Sequence, residues 1–218
     1  MTEQGWLNCT DPTPMLEFLR GRSTDRKLRL FAVACLRRTM LSTDNVQGDL
    51  DLIEKYADGS ASKQQLAEVE INAQFGAYHY LDAYLAGLAS AASTSGDACL
   101  WASSAGRGAA WWGGTGPKPV PGLCPAERRA QCQLLLDIFG SLPFRPVTID
   151  PSVLAWNDGL VPRLAQAIYE ERRWGDMPVL GDALLHVGCD SDEVVAHCRA
   201  GGEHVRGCWV LDLCLGKD

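Results

Sequence analysis

The feature that most constrains the fold of this chain is a series of helix-length apolar segments, each bounded by glycine, proline or a capping side chain. Apolar residues recur in these segments every three or four positions, which is the period of an amphipathic helix. Only residues 143–149, PFRPVTI, favour an extended backbone. The segments are residues 11–21, 23–41, 45–59, 60–93, 125–140, 153–176, 177–188, 191–201 and 204–216. The sequence therefore predicts an all-α protein, a multi-helix bundle-like domain.

One internal segment interrupts this helical pattern. Residues 94–123 are rich in glycine, serine, alanine and proline and contain the pair Trp111 and Trp112, a composition typical of a linker or insertion. The segment separates an N-terminal helical region, residues 1–93, from a C-terminal helical module, residues 124–218. The N-terminal region ends in a single long helix over about residues 60–93. We expect the two helical parts to pack together as one domain.

Composition and charge exclude several classes of function. The chain of 218 residues carries a net charge of -7, whereas a nucleic-acid-binding protein needs concentrated lysine and arginine. The first ten residues lack the apolar core of a signal peptide, and the least polar stretch, residues 81–93, is too short to span a bilayer. We therefore expect a cytoplasmic protein that binds neither nucleic acid nor membrane. In that compartment most of the nine cysteines should be small buried apolar residues.

The C-terminal segment concentrates cysteine and histidine. The pattern His186-x2-Cys189-x7-His197-Cys198-x5-His204-x3-Cys208 offers six soft ligands in a short stretch. If residues 204–213 are helical, His204 and Cys208 are one turn apart and share a face. Cys198 at the end of the preceding helix, or Cys189 at its start, could approach this pair across the turn at residues 201–203. The predicted metal ligands are Cys189, Cys198, His204 and Cys208, and zinc is the cofactor that such a set prefers.

An alternative interpretation of the same residues needs no cofactor. The segment has no Cys-x-x-Cys pair, which is the strongest zinc signal in a sequence. Adjacent helical residues point about 100° apart, so only one of His197 and Cys198 could join a site. We favour the interpretation in which the cysteines lie in the core and the histidines are exposed or hydrogen-bonded.

Two catalytic alternatives use the same part of the chain. Cys208 and His204 could form a thiolate–imidazolium pair, although catalytic cysteines usually pair with a histidine distant in sequence, and no orienting Asp or Asn is evident. The acidic run at residues 190–193 has none of the spacings of a carboxylate-bridged metal centre and is typical of a helix N-terminus. Known hydrolase and phosphate-loop motifs are absent from the sequence.

Several blocks of the sequence resemble an uncharacterised family of bacterial proteins, whose members carry similar blocks in the same order, alone or attached to other domains. The blocks are PMLEFLRG, DRKLRLFA, IFGSLPFRPVTIDPSVLAWNDG and HCRAGGEHVRGCWVLDLCLGK. The resemblance covers both ends of the chain and most of residues 124–218, and it is weakest over about residues 60–123. It implies relatedness and architecture but no catalytic residue, because no activity is established for that family.

The first hypothesis for the function of this chain is a helical protein–protein interaction or scaffolding module that binds a protein partner. The alternative is a zinc-stabilised module, or a small enzyme, that uses the C-terminal cluster. In either case Trp156 and Trp209 are candidates for anchors of the core. Arg145 and Arg206 are expected to bond with carboxylates or with helix C-terminal carbonyls rather than with a ligand. The sequence leaves the activity, the substrate and the oligomeric state open.

Overall fold

The structure is a computed structural model that describes residues 1–39, 44–67, 69 and 125–217. All regular secondary structure in these ranges is helical, so the predicted all-α class is confirmed. The helices are α1 (Glu3–Leu7), α2 (Pro12–Leu19), α3 (Asp25–Thr39), α4 (Asp44–Ala57), α5 (Pro125–Phe139), α6 (Pro151–Glu171), α7 (Met177–His186), α8 (Asp192–Arg199) and α9 (Trp209–Leu215), with a 3-10 turn at Trp174–Asp176.

Two of the predicted features lie outside the described residues. These are most of the long helix over about residues 60–93 and the whole linker at residues 94–123. The predicted boundaries at residues 93 and 123 fall there as well. The described chain divides into two compact units, residues 1–135 and 136–218, and the division falls inside α5.

The first unit is held together by an apolar core and by ion pairs along α3. The helices α1 to α4 contribute many of its large, fully buried side chains: Trp6, Met15, Leu19, Leu30, Phe31, Leu36, Leu50 and Ile53. In α3, Arg37 bonds with Asp51 and Glu54 of the neighbouring α4, with N–O distances of 2.5 and 3.0 Å. The basic side chain is therefore neutralised within the unit where α3 and α4 pack together.

The second unit packs α6 against α7 and α9, and α7 against α8. Its core contains Tyr169, Leu180 and Trp209, all at most 1% exposed, together with four cysteines. Across the described chain seven cysteines are free thiols, six of them buried and Cys9 half-buried. The expectation that most cysteines behave as small core residues is met within these ranges.

The helix α6 contains a left-handed break that the sequence analysis missed. Asn157, Asp158 and Gly159 have φ angles of 48°, 53° and 72°, and these are the three residue types that best tolerate the left-handed region. The break leaves Trp156 42% exposed. The prediction that Trp156 anchors the core is therefore wrong, whereas the same prediction for Trp209 is confirmed.

Within the ranges described above, none of the helices combines the length and the apolar character needed to cross a membrane.

Candidate metal centre

Four side chains of the second unit bring potential metal ligands together. One ligand atom each from Asp137, His197, His204 and Cys208 lies within 4.8 Å of all the others. Asp137 belongs to the last turn of α5, His197 to the last turn of α8, and the other two to the loop before α9. Three separate parts of the unit thus meet at one point.

The helix that carries His197 is fixed at its start by capping and by ion pairing. The Ser191 hydroxyl accepts a hydrogen bond from the Val194 amide at 3.5 Å, which is the usual role of serine at an N-cap. The Glu193 carboxylate accepts hydrogen bonds from Arg145, at 2.5 Å, and from the buried Ser141 hydroxyl. The expected pairing of Arg145 with a carboxylate is confirmed, and these contacts orient α8.

The segment from His204 to Cys208 is a loop, so the predicted helical face formed by these two residues is wrong. Gly207 has φ +89°, which a right-handed helix cannot accommodate, and α9 begins only at Trp209. The Cys208 amide donates to the Val205 carbonyl at 3.1 Å and closes a turn. This turn, rather than a helix face, brings Cys208 Sγ to 4.0 Å from His204 Nδ1.

Asp137 is the buried centre of the group. Its Oδ1 is 2.6 Å from His204 Nδ1 and 3.1 Å from His197 Nε2, and its Oδ2 accepts the Val205 amide at 2.9 Å. Burial acts to raise the pKa of the Asp137 carboxyl, but the hydrogen bonds from the two histidines and their electrostatic attraction together outweigh it and leave the pKa lowered. Asp137 is therefore a carboxylate that organises the donors around it.

The tautomer of His197 follows from its contact with Trp209. The indole Nε1–H donates to His197 Nδ1 at 3.1 Å, and an indole nitrogen can only donate. Nδ1 must therefore carry the lone pair, and the single proton of the neutral ring sits on Nε2. That nitrogen faces Asp137 Oδ1 and lies 3.3 Å from Cys208 Sγ.

The surroundings of Cys208 favour the protonated thiol. Its side chain is fully buried, and burial raises its pKa well above the usual value, as does the nearby Asp137 charge. Hydrogen bonds from the Val210 and Leu211 amides oppose this rise without reversing it. A buried thiol of raised pKa is a poor nucleophile.

The geometry also differs from that of a Cys–His–Asp catalytic set. In such a set the acid and the nucleophile contact opposite nitrogens of one imidazole. Here Asp137 and Cys208 both face Nε2 of His197, and both face Nδ1 of His204. Neither ring can relay a proton between them, so the arrangement disfavours the nucleophilic alternative.

The spacing of the four atoms is close to what a tetrahedral zinc ion requires. Zinc bonds of about 2.0–2.3 Å place neighbouring ligand atoms roughly 3.3–3.6 Å apart. The contacts of His197 Nε2 with Asp137 Oδ1, at 3.1 Å, and with Cys208 Sγ, at 3.3 Å, are near this range. The shorter and longer edges of the group need shifts on the order of 1 Å to reach it.

Of the four ligands predicted from the sequence, the structure brings His204 and Cys208 together. Cys189 and Cys198 belong to the hydrophobic core of the unit and are not members of the four-residue group. Burial raises the pKa of Cys198 to about 12. The other two members are His197, which the sequence analysis considered but did not select, and Asp137, which it missed. A lone acid in the apolar run LLLDIFG was the available signal.

Comparison of the chain with protein-family models, curated proteins and solved structures found no match. The bacterial family suggested by the sequence blocks therefore stays a resemblance, and the geometry of the second unit carries the functional argument.

Proposed function

We propose that the second unit is a zinc-stabilised helical module in which Asp137, His197, His204 and Cys208 hold one zinc ion. The observation that carries this proposal is the convergence of their four ligand atoms within 4.8 Å. Two imidazoles, a thiolate and a carboxylate form a donor set that suits zinc. Four protein ligands with no open position are typical of a structural rather than a catalytic ion.

The elements that supply the ligands explain how an ion would stabilise the unit. The ligands at the end of α5, at the end of α8 and in the loop before α9 are separated by up to 71 positions in the sequence, from Asp137 to Cys208. A metal bond to each of them adds its free energy to the folded state only, because the ligands are apart in the unfolded chain. Zinc binding would also deprotonate the Cys208 thiol, so its affinity should rise with pH.

The direct test is metal analysis of the full chain purified without a histidine tag. We expect about one zinc ion per chain and a melting temperature that falls when a chelator is added. His204→Ala and Cys208→Ser should abolish both effects. The matched controls are His186→Ala and Cys214→Ala, which remove the same residue types outside the group and should leave the metal content unchanged.

A contrary result is equally well defined. If the protein contains no metal, and if neither chelator nor added zinc changes its melting temperature, the four residues form a hydrogen-bonded hub and the zinc proposal is wrong.

Protein–protein interaction in the cytoplasm is the second proposal, and the exposure of Trp156 favours it. A 42%-exposed tryptophan beside a strained backbone is unusual in a monomer surface and typical of contact sites. Free thiols at all seven described cysteines are consistent with a reducing compartment. If the partner is a second copy, light scattering should show a dimer that Trp156→Ala converts to a monomer. A monomeric wild-type chain would exclude self-association.

A further inference from the structure

Two cysteine thiols of the first unit meet at a place far in sequence from the candidate metal centre. Cys9 lies in the loop between α1 and α2, and Cys132 lies in α5. A side-chain hydrogen bond joins the two thiols. The Cys9 thiol donates its own hydrogen to the Asp11 carbonyl at 3.1 Å, so its sulfur is the acceptor of the bond with Cys132. Both cysteines are free thiols, and more than half of the chain lies between them in sequence.

An ion pair one helical turn away also places this loop on α5. Arg128 Nη1 is 3.3 Å from Asp11 Oδ2. Arg128 and Cys132 are four positions apart, so they share one face of the helix. The loop itself is ordered by backbone contacts, because the Cys9 amide donates to the Trp6 carbonyl at 3.2 Å and Asp11 caps the start of α2. The loop therefore presents Cys9 to the face of α5 that carries Cys132.

The two thiols differ in their access to solvent, and this difference sets the order in which they react. Cys9 is half-buried, whereas Cys132 is 0% exposed. Burial first, then electrostatic repulsion from Cys9 and Asp11 and the hydrogen bond with Cys9, raise the pKa of Cys132 to about 12. A buried thiol with so high a pKa is a poor first nucleophile. A small oxidant from solvent therefore meets Cys9 first.

We propose that Cys9 and Cys132 are a redox-active thiol pair that a small hydroperoxide converts to a disulfide. The Cys9 sulfur attacks the O–O bond and becomes a sulfenic acid, while its proton leaves with the other oxygen as water or an alcohol. The Cys132 sulfur then attacks the Cys9 sulfur and forms the S–S bond, and the sulfenic hydroxyl leaves with the Cys132 proton as water. One peroxide is reduced and two thiols are oxidised. The second step needs no encounter, because the two thiols are already in contact.

The disulfide ties the loop before α2 to α5 inside the first unit. A cross-link between residues so far apart in sequence strongly restricts the unfolded chain, so the oxidised protein should melt about 5–15 °C higher than the reduced protein. Disulfides of proteins in reducing compartments are usually transient and redox-sensing, which is the role that this pair fits. The pair lies outside the four-residue group, so the inference does not rest on the proposed zinc site.

The test treats the full chain with hydrogen peroxide and maps its disulfides by peptide mass spectrometry without reduction. We expect a Cys9–Cys132 cross-link, lighter by two hydrogens than the two peptides together, and dithiothreitol should remove both the cross-link and the gain in melting temperature. Cys9→Ser should abolish both effects. Cys132→Ala should leave Cys9 as a sulfenic acid that dimedone traps. The matched control, Cys35→Ala, removes another buried cysteine of the first unit and should cross-link as wild type does.

Three results would overturn the inference. They are a disulfide between Cys9 and any other cysteine, a disulfide between two chains, and oxidation of Cys9 to a sulfinic acid in wild type while Cys132 stays a thiol. If Cys132→Ala does not fold, wild type and Cys9→Ser decide, because the cross-link and the melting temperature are both measured without it. A protein that binds no zinc but forms the cross-link refutes the zinc proposal and supports this one.

Discussion

At the scale of single residues, one buried acid accounts for most of the order in the site. Asp137 is only 4% exposed and is bonded by two imidazoles and an amide that all come from other parts of the unit. A buried carboxylate without such partners would be protonated or would destabilise the fold. The residue that organises the group is therefore the one with the weakest signal in the sequence, since a lone acid has no spacing pattern.

The first prediction concerns Asp137→Asn. The substitution keeps the shape of the side chain but removes the charge that the histidines and the Val205 amide stabilise. At pH 7 it should lower the free energy of unfolding by about 3 kcal/mol. Because the folded pKa of Asp137 is lowered, its contribution is present above the unfolded value of about 3.9 and is lost as the pH falls through the folded value.

Urea unfolding at pH 7 and at pH 3 checks this prediction. The difference between wild type and Asp137→Asn should be smaller at pH 3, where the wild-type carboxylate begins to lose its advantage. Asp182→Asn is the control, because this exposed residue pairs only at the surface with Arg199 and should change stability by about 0–1 kcal/mol. If wild type and Asp137→Asn differ in free energy of unfolding by as much at pH 3 as at pH 7, the stabilising role given to the Asp137 charge is wrong.

At the scale of helices, the position of α8 depends on its close approach to α7. Gly181 lies in α7, and a Cβ added there would come 2.8 Å from Cys198 Cβ, which is next in sequence to His197. Cβ atoms cannot rotate away, so the backbones themselves must separate. The absence of a side chain at Gly181 therefore helps to determine where the imidazole of His197 lies.

The second prediction follows from this contact. In an exposed helix a change from glycine to alanine stabilises by about 1 kcal/mol. At Gly181 we expect the reverse, a destabilisation of about 1–3 kcal/mol, because overpacking outweighs helix propensity. Thermal unfolding of Gly181→Ala measures the effect. Gly175→Ala, where nothing lies within 4 Å of the added Cβ, is the matched control and should not be comparably destabilised. A stabilised Gly181→Ala would show that α7 and α8 separate without cost.

At the scale of the whole molecule, the candidate metal centre belongs entirely to one of the two compact units. All four of its residues lie between residues 136 and 218, and the apolar core around Trp209 lies in the same range. A ligand that binds only the folded state of one unit should protect that unit against local opening.

The third prediction is a localised change in hydrogen exchange. Adding zinc to the full chain should slow amide exchange in peptides from residues 136–217, most strongly around α8 and residues 204–208. Exchange in residues 1–39 and 44–67 should stay as it was. Hydrogen–deuterium exchange with mass spectrometry resolves these ranges, and Cys208→Ser should remove the protection. Uniform protection of both units, or protection confined to the first, would place the metal elsewhere.

The sequence by itself determined the helical class and the burial of the cysteines described. Helix periodicity, a capping serine at residue 191 and prolines at helix starts are local properties, and local chemistry acts over a few residues. The sequence also marked His204 and Cys208 as ligands that could meet. It did not reveal the left-handed break after Trp156, even though the run Asn-Asp-Gly carries that signal.

Only the tertiary structure decided which of the six soft residues near the C-terminus converge. Whether His197 or Cys198 faces the group depends on how α8 rests against α7, and Asp137 enters from a helix 60 positions earlier in the chain. The physical reason is that ligand convergence is set by the packing of helices and by a loop with left-handed Gly207, not by periodicity along one element. The same packing brought the Trp209 indole N–H to 3.1 Å from His197 Nδ1, a contact between residues of different elements that no local pattern predicts.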